Sequence, residues 1–201
     1  MDQARLLPLP TPVAARTPWQ GTVLALGGVL ACWVAAVTAG TLLHPGGLLH
    51  DIGLFVHLVS LVVGFGAVLV LDVYGASAIL ALRVRRHGVR RERRGPVEVA
   101  RFAAGLEPMI WAGLAGLVVS GAALSPNVGS PATWLKLSAV LIVAVNGINA
   151  HHLCARITLL PTTLTLRELP TRLKVRLLGT GAISQAAWWT AVLVGYWANI
   201  H

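Results

Sequence analysis

The chain has 201 residues, of which 56% are hydrophobic and only 11% charged, with a formal net charge of +9. Mean hydropathy is +0.74, which leaves no room for a soluble domain and matches a membrane protein. The basic pI of about 11.3 does not point to nucleic acid, because the cations lie in connections between apolar runs, where they act as topology signals and anionic-lipid contacts.

Residues 1–18 read as an irregular cytoplasmic leader rich in proline, and residues 19–201 as a single membrane domain. Five runs are long enough to cross a bilayer core of ~30 Å as helices: residues 19–43, 52–82, 99–124, 131–157 and 175–200. Inside lipid every backbone N–H and C=O must be paired within the segment, so each run should be helical. The first run carries no charge. Its Val37-Thr38-Ala39 resembles a cleavage site, but the run is longer than the ~7–15 residues of a secretory h-region, which favours a retained helix.

All but one of the 16 lysines and arginines fall in three stretches: the leader, residues 83–101, and residues 156–176. The connections at residues 44–51 and 125–131 have none. Cationic short loops stay on the cytoplasmic side. The expected fold class is therefore all-α, a polytopic bundle with its N-terminus cytoplasmic and its C-terminus external. A bacterial plasma (inner) membrane is the expected location, with anionic lipids meeting the Arg-rich 83–101 connection.

The second run is ~46 Å long as a helix, so it should project past the membrane before the His87-Gly88 turn. The third carries Glu107-Pro108, and proline there removes a backbone donor and frees a carbonyl near residue 104. Gly64, Gly66, Gly113, Gly116, Gly121 and Gly147 read as close helix packing. Trp19, Trp134, Trp188, Trp189 and Trp197 suggest an interfacial belt. Cys32 and Cys154 are placed unsuitably for a disulfide.

Ionisable residues inside a span cost about 3 kcal/mol at the helix centre and persist when they face the bundle interior. His57 and Lys136 should both lie roughly 8 Å below the external boundary on parallel helices, so they share a layer. Lys136 can alternatively snorkel outward. A second layer holds Asp72, Glu107, Asn146, Asn149, His152, Ser184 and Gln185. This polar core can bind a cation, relay protons or glue helices together. A third group, His44, His50 and Asp51 near His57, has the donor types of a copper or zinc site, or of a wet loop.

The segment from His57-Leu58-Val59 through Arg101-Phe102 and Pro108-Met109-Ile110-Trp111 to Trp134-Leu135-Lys136-Leu137 and His151-His152 resembles the HemJ-type protoporphyrinogen oxidases and the related CopD-type copper-resistance membrane proteins. The resemblance covers roughly residues 52–156. It implies a helical bundle that holds haem b or copper, with His57 as the haem ligand and Lys136 required for activity. The chain departs from that pattern in a longer interval between Lys136 and the histidine pair, in Asp72 and Glu107, and in an extra N-terminal helix.

The leading expectation is a haem- or metal-binding membrane protein with a redox or haem/metal-handling role. There Asp72 and Glu107 would move protons and Lys136 would neutralise a propionate or anionic substrate. A small cation or proton transporter built on the Asp/Glu/Asn layer, and a non-catalytic accessory or scaffold subunit in a homo-oligomer or larger complex, remain as other classes. Whether the chain is an enzyme stays open at this point.

Overall fold

The computed structural model describes residues 18–43, 46–83 and 95–200. Five helices follow in chain order: α1 (Pro18–Leu42), α2 (Leu48–Arg83), α3 (Pro96–Ala123), α4 (Pro131–Thr158) and α5 (Thr171–Ile200). No strand occurs among the described residues. Each helix is long and apolar enough to cross a membrane, so the chain is an integral membrane helical bundle. Its long exposed side chains, such as Leu30, Phe55, Val62 and Leu193, are what a lipid-facing surface needs.

Three helices start three or more residues earlier than hydropathy suggests. Helix α2 starts four residues before Ile52, so Asp51 falls in its first turn. Helix α3 opens at Pro96, whose missing N–H is tolerated at a helix start. Helix α5 begins at Thr171, because charged residues at a helix end lie outside the apolar window yet still continue the helix. Pro108 lies within α3, which remains one helix on both sides of it.

The strongest packing joins α2 to α3 and α4 to α5, with α3 against α4, while α1 lies on α3 and α4. The α2–α3 seam depends on small residues. A Cβ on Gly113 would collide with the backbone of Gly64, and one on Gly116 would strike Ser60. Gly147 gives room to the indole of Trp111, and Gly121 faces the His57 ring. Gly66 differs from this group, because nothing packs where its Cβ would be. Its small size is not explained by helix packing.

Trp188 does not belong to an interfacial belt. It is 2% exposed at the centre of the bundle, stacked on Phe65 with ring centroids 5.6 Å apart. The cost of its position is a buried indole N–H with no acceptor among the described residues. Trp19, Trp134 and Trp197 are exposed, as an interfacial role requires.

At the cation-poor end, Ser125 Oγ donates to the Leu43 carbonyl at 2.8 Å, tying the end of α1 to the α3–α4 turn. Gly40 lets α1 settle directly on Pro126. At the arginine-bearing end, the 159–170 connection folds back on the start of α3, where Val97 and Leu169 are buried and Gly95 passes close to the Leu164 carbonyl.

Candidate functional site

The site is built at the cation-poor end, where α1, α2, α3 and α4 converge. A chamber of about 100 Å³ lies there, with His57 and Lys136 in its wall. Trp33 and Val37 of α1 close one side, and Leu117 and Val140 contribute apolar lining from α3 and α4. His57 stands roughly 14 Å from the start of α2, and Lys136 roughly 8 Å from the start of α4. They reach one level because α2 extends further beyond the layer than α4 does.

Ser120, 3% exposed on α3, fixes the imidazole. Its Oγ lies 3.0 Å from His57 Nδ1. The serine hydroxyl has one hydrogen, and it is directed to the Gly116 carbonyl at 2.5 Å. With that hydrogen on the Gly116 carbonyl the Ser120 oxygen accepts, and the Leu117 carbonyl is a further acceptor for the ring. In the neutral imidazole this makes Nδ1–H the donor and leaves the lone pair on Nε2. This tautomer is assigned from donor counting.

Lys136 is half-buried, and no carboxylate lies within ion-pair distance of it among the described residues. Its stem runs beside Gly195 of α5. The wall on the α1 side is held by Trp33, whose Nε1 donates to the Leu137 carbonyl at 3.0 Å, one residue after the lysine. An imidazole and an ammonium that has no carboxylate partner among the described residues thus share a mostly apolar space, where electrostatic interactions are stronger than in water.

The expected inner polar layer is three separate clusters. Asp72 accepts a hydrogen bond from Gln185, linking α2 to α5. Glu107 meets His151 instead, with Nδ1 2.8 and 3.0 Å from its two carboxylate oxygens, and also accepts from Trp111 Nε1 at 3.2 Å. Asn146 and Asn149 both bond Thr180 of α5, at 2.9 Å each. Asp72 and Glu107 therefore have different partners on different helix pairs. His152 is exposed and bonds Thr22 of α1 at 3.0 Å, so it belongs to the α1 contact and not to a polar core.

His50 and Asp51 are exposed in the first turn of α2, while His44 lies outside the described residues. No group of three or more His, Cys, Asp or Glu side chains is placed to hold a metal ion among the described residues. Cys32 and Cys154 are free thiols.

Ser120, Trp33, Thr180 and Thr22 escaped the sequence reading, as did the bond from Trp111 to Glu107. Serine, threonine and tryptophan are ordinary in membrane helices, so only their rotational setting shows that they serve a histidine, a carboxylate or an amide. A serine a few residues from the end of a span, level with an intramembrane histidine, is the one signal that was available for Ser120.

No family model, curated protein or solved structure matches the chain. Its class is thus defined by the fold and the chamber alone: a five-helix integral membrane protein with a histidine–lysine pair at one end of the bundle.

Proposed function

We propose that the chain binds a small acid or oxyanion between His57 and Lys136. The observation that carries this reading is the coexistence in one chamber wall of an imidazole held through Nδ1 by Ser120 and an ammonium with no carboxylate partner among the described residues. The ligand would enter as its acid, or as its anion together with one proton: that hydrogen goes to Nε2, and the oxyanion that remains lies on Lys136. A base and a cation on one substrate also constitute an acid–base site: His57 takes the proton, Ser120 holds the ring through the other nitrogen, and Lys136 stabilises the anion that forms.

Haem is the second reading. The donor chemistry suits it, because haem brings four nitrogens of its own and needs one protein imidazole, with a lysine near a propionate. A bare copper or zinc ion needs several protein donors, and only His57 is present here. The volume disagrees. A chamber of about 100 Å³ is well below the ~300–1,000 Å³ of small-molecule sites and does not enclose a porphyrin.

A transporter reading based on Asp72 with Glu107 has less support, since these carboxylates serve separate helix pairs. Purified protein tests the two leading readings together. Saturable acetate binding by calorimetry, lost in His57→Ala and Lys136→Ala, supports the small-acid reading. A Soret band that disappears in His57→Ala supports haem. A colourless protein that shows no acetate heat removes both.

A further inference from the structure

A second hollow, of about 360 Å³, lies between α4 and α5. Leu141, Ile142, Val145 and Ile183 make its walls, and Asn146 and Asn149 make its polar edge. It is independent of the His57–Lys136 chamber. Ile142, Val145 and Ile183 are exposed, so the hollow is open to the membrane.

Its end is defined by charge. Arg176 Nη2 donates to Asn149 Oδ1 at 3.2 Å, which sets the guanidinium beside the hollow. That bond uses one of five guanidinium N–H groups. No carboxylate pairs with Arg176 among the described residues. Arg172 lies one turn earlier on the same face of α5, and both arginines are exposed. Thr180 and Ile183 continue this stripe along the groove. From Asn149 back to Leu141 the groove runs roughly 12 Å along the helix axis.

We propose that the α4–α5 groove is a binding site for an anionic phospholipid, with an acyl chain against Val145 and Ile183 and the phosphate on Arg176 and Arg172. The argument is charge complementarity joined to shape. An apolar furrow running along the membrane axis suits a chain, and a guanidinium at its end suits a phosphate bidentately. Basic pockets between transmembrane helices, on the side where cationic connections lie, recognise lipid headgroups in this way. A second copy of the chain is a poor occupant, because a symmetric pairing through this face would set Arg172 and Arg176 of one copy against the same residues of the other.

The test uses full-length protein exchanged into vesicles of phosphatidylcholine, or of phosphatidylcholine and phosphatidylglycerol in equal parts, then extracted gently for native mass spectrometry. Wild type is expected to retain phosphatidylglycerol in preference to phosphatidylcholine. Arg176→Ala should reduce that preference about fivefold or more, and Arg176→Lys should keep part of it. Val145→Trp, which fills the groove without removing charge, should reduce retention of both lipids. Preference unchanged in Arg176→Ala, or retention unchanged in Val145→Trp, would overturn the proposal. So would efficient, lipid-independent cross-linking of two copies through cysteines placed at residue 145. Circular dichroism of each variant distinguishes a lost site from a lost fold.

Discussion

His57 on α2 and Ser120 on α3 are joined across the bundle by a 3.0 Å contact between Nδ1 and Oγ. The serine hydrogen is already committed to Gly116, so this contact determines which ring nitrogen stays open. Ser120→Ala should weaken that control and leave the Leu117 carbonyl as the ring's remaining acceptor. For metal-ligating histidines such supporting partners are worth about 10–100-fold in affinity, and the same scale is taken for His57. Ligand affinity is expected to fall within that range while helix content stays unchanged, as measured by titration and circular dichroism on the same sample.

The α2–α3 seam sets a second test. Gly113 touches the Gly64 backbone, and backbone cannot yield as a flexible side chain can. Gly113→Ala should destabilise the protein by about 1–3 kcal/mol through overpacking. Gly66→Ala, with open space around it, should leave stability unchanged or slightly raised. Thermal unfolding in detergent separates the two substitutions.

The Asp72–Gln185 bond connects α2 to α5. Gln185→Leu leaves the carboxyl group without its donor and should cost about 1–3 kcal/mol. Asp72→Asn keeps a hydrogen-bonding partner for Gln185 and should be milder. A larger loss in Asp72→Asn than in Gln185→Leu, by the same unfolding assay, would show that Asp72 acts in some other way.

Much of the architecture could be read from the residues. Five apolar runs of membrane length suffice to specify five helices, and a rise of 1.5 Å per residue, counted from the apolar boundaries at residues 52 and 131, puts His57 and Lys136 at one level although α2 itself starts four residues earlier. Rotation of each helix about its own axis could not be read, because runs that are apolar on all faces carry no facing information. For that reason Glu107 looked like a partner of Asp72 when it bonds His151, and His152 looked internal when it meets Thr22. The role of α1 was also hidden. Its sequence is uncharged, yet Trp33 and Val37 form a wall of the chamber.

Orientation rests on the arginine-bearing connections sharing one side of the membrane. Single cysteines at residues 90 and 127, in a background lacking Cys32 and Cys154, are expected to react with an impermeant maleimide from opposite compartments. Reaction of both from the same compartment would reverse this arrangement.

Nitrogen-15 NMR of histidine-labelled protein addresses the chamber most directly, with His57→Gln used to assign the signal. Without ligand, His57 should show a protonated Nδ1 and a bare Nε2, and acetate should shift Nε2 in wild type but not in Lys136→Ala. A proton on Nε2 in the free protein, or an acetate shift that is indifferent to Lys136, would contradict a shared histidine–lysine site.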